Sequence, residues 1–317
     1  MKVAIVLGGT AGVGRAVVEK LASDGYAVGV VARGTDRLEA LDRSHDGRVR
    51  AVQGDVADVA STDSAVRQLI DALGTPTIWV NNAMATSFSP FTDMTPEEFQ
   101  RVVDVTFIGQ VNGTRAALKH MSQGKIICIG SGLAYRSVPL QSAYCAAKHA
   151  INGFVASVRS ELIREKSDIS IHLVQLPAVN TPQFDWARHR FQKEPQPAPP
   201  IYAPTVAADA VQRVIEKGSR EVFVGRSIMT LIFANFVLPD WMDHKMASSG
   251  ADMQKSDTPD APQPGNLFGP VDHEGSAEGS YADRASDRGL ILDADRTRKL
   301  VFFGGAAGIF VLGLILG

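Results

Sequence analysis

Residues 3–14 read Val3-Ala4-Ile5-Val6-Leu7-Gly8-Gly9-Thr10-Ala11-Gly12-Val13-Gly14. Five apolar residues halted by glycine are too few for a buried helix and suit a buried strand. Gly8, Gly12 and Gly14 then stand at GxxxGxG spacing where the strand hands over to a helix. Missing side chains there let the backbone approach a pyrophosphate, and the helix N-terminus supplies amide donors and the positive end of a dipole. The turn therefore predicts a nucleotide site that includes Gly8, Thr10, Gly12, Val13 and Gly14.

Outward from this turn the pattern repeats. β-Branched runs at Val3–Leu7, Ala27–Ala32, Val49–Gln53, Thr77–Val80, Lys125–Ile129, Ser170–Gln175 and Glu221–Val224 alternate with helical patterns. The helices are expected at Gly14–Ser23, Asp36–Arg43, Ser61–Leu73, Pro96–His120, Ser142–Lys166 and Thr205–Lys217. Alternating βαβ units predict an α/β fold, a Rossmann-type doubly wound parallel sheet of seven strands whose ligand lies beyond the carboxyl ends. Residues 1–247 are expected to form this domain.

The 317 residues are 45% hydrophobic, and 32 Lys+Arg nearly balance 34 Asp+Glu, so no general grip on nucleic acid is expected. Cys128 and Cys145 fit neither a disulfide framework nor a metal-ligand spacing. Residues 248–289, rich in Gly, Pro, Ser and Asp, are expected to be a flexible acidic linker, with Asn266-Leu267-Phe268 as a candidate short docking patch. In 290–317, Arg296, Arg298 and Lys299 flank an uncharged stretch, Leu300 to Gly317, near the lower length limit of a membrane-spanning helix. The basic flank predicts a C-terminal anchor that leaves the body on the cytoplasmic side; an apolar helix packed on the protein or a partner subunit is the alternative. Ile228–Leu238 (IMTLIFANFVL) is too short to span, and is expected to pack on the core, at a subunit interface or at a membrane surface.

Chemistry-bearing residues collect at strand ends. After the second strand, where a dinucleotide's ribose lies, stand Ala32 and Arg33 rather than an acid, which favours a 2′-phosphate and hence NADP(H) over NAD(H). Asp55 and Val56 follow the third strand, and Asn81, Asn82 and Ala83 the fourth. Asp55 is a candidate acceptor for an adenine amino group. Ser131 ends the fifth strand and precedes Tyr144 and Lys148, which share a helix face at i, i+4. An ammonium beside a phenol favours the phenolate, so Tyr144 is a candidate general acid/base, with Ser131 steadying a substrate oxygen and Lys148 donating to the nicotinamide ribose.

The ordered set of GxxxGxG at 8–14, Asp55, Asn81-Asn82-Ala83, Ser131 and Tyr144-xxx-Lys148 resembles the short-chain dehydrogenase/reductase family over about residues 1–225. The resemblance implies a Rossmann-fold NAD(P)-dependent oxidoreductase, a homo-oligomer, with Ser131, Tyr144 and Lys148 catalytic and Thr181 near the nicotinamide carboxamide. It also implies that residues 182–204 form the substrate lid, with Phe184, Trp186, Phe191, Ile201 and Tyr202 lining an apolar pocket and Arg188, His189 and Arg190 on its rim. The sequence departs from the family at Thr106, where an Asn usually supports a water of the proton relay, and at Met84, which replaces a Gly. A hydroxyl at Thr106 still suits water binding. The expected activity is NADP(H)-dependent interconversion of a carbonyl and a secondary alcohol on an apolar substrate. The alternatives are an NADP(H)-binding scaffold or redox sensor with little turnover, and a membrane-assembly subunit with an inherited fold.

Overall fold

The structure is a computed structural model that describes residues 2–45 and 47–303. The strands are β1 (Val3–Leu7), β2 (Ala27–Ala32), β3 (Val49–Gln53), β4 (Ile78–Asn81), β5 (Gly124–Ser131), β6 (Ile169–Leu176), β7 (Glu221–Val224) and β8 (Ile291–Asp293). They form one sheet in the order β8-β7-β6-β5-β4-β1-β2-β3. The neighbours from β3 to β7 are all parallel. The order reverses between β1 and β4, which opens a crevice at their carboxyl ends.

The sheet has eight strands, which corrects the expected seven. β8 runs antiparallel to β7, with Phe223 opposite Leu292. Three residues in a polar context carry no readable alternation, and the pairing exists only because the chain returns to the sheet edge.

Helices cover both faces, as buried parallel strands require. Helices α1 (Gly12–Ser23), α2 (Thr35–Arg43) and α7 (Pro204–Lys217) pack Val17, Leu21, Leu41, Val211 and Val214 on one face. Helices α3 (Val59–Leu73), α5 (Gly109–His120) and α6 (Ser142–Arg164) pack Val66, Leu69, Ala117, Ile151 and Val155 on the other. The single helix expected over 96–120 is two: α4 (Pro96–Val103) is joined to α5 by a π-helical turn, Asp104–Ile108. There the Thr106 hydroxyl donates to the Ala85 carbonyl (2.8 Å) and accepts from the Ala85 N–H (3.0 Å). A side chain tied to a neighbouring loop accounts for the locally widened helix.

Helix α8 (Arg226–Val237) follows β7, and α9 (Pro239–Lys245) follows α8. Ile228 is buried with Phe223 and Ala294, so the core-packing alternative holds for that end of the apolar run, while Phe236, Val237, Leu238 and Trp241 are exposed.

The flexible linker expected at 248–289 is also corrected, because its described residues are laid along the domain. Lys255–Pro259 pairs with Lys193–Pro195, Leu267 is fully buried among the residues of the α3, α5, α6 face, and Gly225 N–H donates to the Leu290 carbonyl (2.8 Å). The segment satisfies its backbone against the body rather than burying a stripe of its own, so apolar periodicity does not reveal it. Residues 304–317 of the expected anchor lie outside the described residues. Among the described residues, no helix is long and apolar enough to cross a membrane.

Buried Glu221 fastens the returning chain. Its carboxylate takes Arg298 Nη2 (2.6 Å), Gln175 Nε2 (2.8 Å) and the Tyr135 hydroxyl. Burial and the adjacent carboxylate push the Tyr135 phenol well above its ordinary range. Removing Arg298 leaves the buried carboxylate with only the more distant Arg220 (3.5 Å) as a cation, so Arg298→Ala is expected to destabilise the fold by about 2 kcal/mol. A denaturation midpoint equal to that of the wild type would contradict this.

Candidate active site

One cavity of about 620 Å³ runs along the carboxyl ends of the strands. Gly8, Thr10, Gly12, Val13, Arg33, Asp55, Val56, Asn82, Ala83 and Thr181 line it at one end, and Ser131, Tyr144 and Lys148 at the other. Gly14 and Thr106 are absent from its walls. Gly14 acts one layer behind: a Cβ there would collide with the Gly8 carbonyl, which itself accepts from Asn82 Nδ2 (2.7 Å). Thr106 is fully buried with its hydroxyl proton committed to Ala85, so it braces the loop after β4.

Ser131 is the last residue of β5, and α6 projects Tyr144 and Lys148 toward it. Lys148 is buried, its Nζ donating to the Ile129 carbonyl (2.7 Å) and lying 5.5 Å from the centroid of the Tyr144 ring. Burial pulls the Lys148 ammonium down to about 7. Burial likewise pushes the Tyr144 phenol up, against a hydrogen bond with Ser131 that pulls it down. Desolvation thus outweighs the stabilised phenolate expected from the i, i+4 spacing. The arrangement is a proton-holding phenol paired with a lysine close to neutrality.

At the nucleotide end the Asp55 carboxylate takes Arg101 Nη2 (2.6 Å) and the Ala57 N–H (3.0 Å). Burial pushes Asp55 upward, but these hydrogen bonds and the charges of Arg101 and Arg33 outweigh it and hold the carboxyl below its ordinary range. Arg33 lies at the end of β2 as expected, and burial and the Arg101 charge lower it. Arg37, on α2, lines the same end and was missed because helix periodicity marks it only as a polar-face residue.

The lid differs from expectation in its charges. Arg188 and Arg190 both grip Glu98, with Arg190 Nη2 at 2.8 Å, and His189 Nε2 lies 3.0 Å from Asp260 Oδ2. These groups are internal anchors rather than rim charges, and Glu98 is the carboxylate that also caps α4. Of the expected apolar lining, Phe184 and Trp186 face the cavity, whereas Phe191, Ile201 and Tyr202 are absent from its walls, Phe191 packing with Phe184 on Phe88. Unforeseen members are Ile228 and Leu231 from α8, Met246 after α9, and Met253 and Gln254 from the segment expected to be a linker. Gln254 Oε1 accepts from Gln141 Nε2 (2.7 Å), which places a polar pair among these apolar walls. Among the described residues, no cluster of His, Cys, Asp or Glu is fit to hold a metal.

The site geometry fits a dinucleotide: a glycine turn at one end of an elongated cavity, and a Ser, Tyr and Lys at the other. The family model for short chain dehydrogenase matches residues 2–190. The chain belongs to that family of oxidoreductases, whose members bind NAD(P). Among similar proteins, an uncharacterised oxidoreductase of Bacillus subtilis, YxnA, is 28% identical over 272 residues, covering 83% of this chain and 76% of the relative. A short-chain dehydrogenase/reductase from Burkholderia phymatum in complex with NAD superposes with a TM-score of 0.68 at 19% identity, covering 76% of this chain and 94% of that one. An alcohol dehydrogenase from Thermococcus sibiricus complexed with 5-hydroxy-NADP gives 0.56 at 24% identity, covering 68% and 91%. At these identities the structural likeness supports the fold.

The lowered Lys148 has a consequence for stability. Its folded value of about 7 lies below the ordinary lysine value of about 10.4, so between these the unfolded chain binds more protons and stability rises with pH. Lys148→Met removes that slope. The stability of the wild type relative to the variant is expected to rise between about pH 7 and pH 10; parallel denaturation curves across that range would contradict the assignment.

Proposed function

We propose that the protein is an NADP(H)-dependent oxidoreductase that interconverts a carbonyl and a secondary alcohol on an apolar substrate. The observation that carries the reading is the convergence of Ser131, Tyr144 and Lys148 at one end of the cavity whose other end holds the glycine turn and Arg33. The dinucleotide supplies the hydride when bound. Gly8, Thr10, Gly12, Val13, Val56, Asn82 and Ala83 would hold its nucleotide half, with Thr181 toward the nicotinamide. Of the five guanidinium N–H donors of Arg33, carbonyls of this chain take two, which leaves donors for a 2′-phosphate.

The Tyr144 phenol donates its proton to the substrate oxygen as a carbonyl is reduced and recovers it in the reverse direction. Ser131 hydrogen-bonds the same oxygen and stabilises the charge that develops on it. Once Tyr144 has given up its proton, the protonated form of Lys148 supplies one to the phenolate and is itself reprotonated from solvent. Thr106 fixes the loop after β4 against the π-turn and takes the place of a relay residue only in that indirect sense. Phe184, Trp186, Ile228, Leu231 and the methionines favour a hydrophobic substrate body, with the Gln141–Gln254 pair offering one polar contact.

In this reading residues 300–317 anchor a homo-oligomer to the cytoplasmic face of a membrane, and the exposed Phe236, Val237, Leu238 and Trp241 add apolar surface. A truncated protein for such work should end after 303 rather than at 290, because β8 and Arg298 belong to the fold.

The test is NADPH consumption by the full-length protein with a panel of apolar ketones and aldehydes. Tyr144→Phe is expected to lower kcat by about 10²-fold or more while NADPH still binds. Arg33→Ala is expected to reduce the ratio of kcat/KM with NADPH to that with NADH by about tenfold. Tight NADPH binding with no turnover across the panel would favour the scaffold or sensor instead.

A further inference from the structure

Residues 263–281 cross the outside of the nucleotide half of the cavity and grip groups assigned to the cofactor on other grounds. Arg33 donates through Nη2 to the Asn266 carbonyl (2.6 Å) and through Nη1 to the Leu267 carbonyl (3.2 Å). The Gly12 N–H, at the turn expected to face a pyrophosphate, donates to the Ser276 carbonyl (2.9 Å). Gly275 and Gly279 let the segment press against Thr10 and Thr181, because a Cβ at either would run into their carbonyl oxygens.

Side chains secure the crossing. Leu267 is fully buried in the cluster that contains Val31 and Val56, and its carbonyl also accepts from Arg101 Nε (3.3 Å). The Arg37 guanidinium sits 5.0 Å from the centre of the Trp186 ring, which meets the His273 ring edge-on at 4.8 Å. Tyr281 N–H donates to Asn180 Oδ1 (2.9 Å) and closes the far end.

We infer that residues 263–281 are part of the nucleotide site, as a strap that closes over its adenosine and pyrophosphate half and must lift for a dinucleotide to enter or leave. The inference rests on the dinucleotide reading above. Carbonyls of the strap take the Gly12 N–H and two of the five Arg33 donors, so an incoming cofactor must displace the strap at Gly12 and competes with it for part of the Arg33 guanidinium. Asp272, Glu274 and Glu278 place negative charge on the strap, which opposes a polyanion approaching a closed site. Cofactor exchange is therefore gated by a segment far from the reacting groups, and its rate reports strap opening.

A reversible lock tests this. A Cβ at Gly34 would lie 3.5 Å from the Cβ of Pro270, within the span of a disulfide. Gly34→Cys with Pro270→Cys, in the full chain, is oxidised and then reduced while NADPH association and release are followed by fluorescence; Cys128 and Cys145 are buried and do not compete. Oxidation is expected to slow both rates by about tenfold or more, or to abolish binding, and reduction to restore them. Leu267→Ser, which loosens the strap without a crosslink, is expected to speed NADPH release about fivefold or more. Equal rates in the two redox forms of a crosslink verified by mass, or a crosslink that does not form, would overturn the strap while leaving the dinucleotide reading intact. Failure of the wild type and the reduced variant to bind either NADPH or NADH would overturn both.

Discussion

The site depends on one contact across the switch point of the sheet. Asn82, just past β4, donates through Nδ2 to the Gly8 carbonyl at the end of β1 (2.7 Å), and Gly14 leaves room for both groups. β1 and β4 are neighbours whose connections leave toward opposite faces, and the Asn82 side chain adds to two backbone bonds, from the Asn82 and Ala83 N–H groups to the Leu7 carbonyl, that keep the turns together. Holding them together fixes the mouth of the crevice. The glycine turn then faces β2, with Arg33 at its end, while β5 brings Ser131 to the opposite side. The half-buried Asn82 amide thus acts with those two backbone bonds to hold the two turns together.

Parts of this were legible because their physics is local. A short apolar run ending in glycine, a helix with Tyr144 and Lys148 one turn apart, and an arginine at the end of β2 each place a group by periodicity and strand direction alone. What stayed hidden depends on residues distant in the chain. Arg188 and Arg190 read as solvated charges because their partner, Glu98, lies about ninety residues away on another element. β8 is invisible for a related reason, since three residues beside a buried edge need no alternation of their own. The course of residues 248–289 is hidden because composition measures what a chain can bury by itself. This one is ordered by its backbone, through carbonyls taken by Arg33, Gly12 and Arg101, and by a few buried side chains, Gln254, Ser256 and Leu267.

Two buried ionisable networks divide the molecule's electrostatics, and they behave in opposite ways. The Glu221 carboxylate is held by Arg298 and Gln175, and it draws on Tyr135 as a further donor. Lys148 has only the Ile129 carbonyl as acceptor, so desolvation carries it toward neutrality. A charge with a full set of partners serves as a clamp, whereas one with a single neutral partner is poised to lose and regain its proton. That contrast separates the structural network at the sheet edge, where Glu221 is buried but Arg298 is partly exposed, from the candidate catalytic Lys148 at the crevice, which is fully buried.

The same chain segment links these regions in order. From Met246 it walls the substrate end of the cavity, pairs with the lid at Lys193–Pro195, crosses the nucleotide end, and then joins the sheet edge as β8 before reaching Arg298. The earlier view of a long flexible tether between the domain and its apolar end cannot hold, because the tether is spent on the domain. If residues 300–317 enter a bilayer as proposed, only Lys299 separates them from a residue fixed on Glu221. Such an attachment leaves little slack, so the body would be held against the surface with its sheet edge nearest. Membrane attachment and cofactor access would then share one stretch of backbone. A pull at the tail would be borne first by Arg298 and β8, before it reached the strap over the nucleotide site.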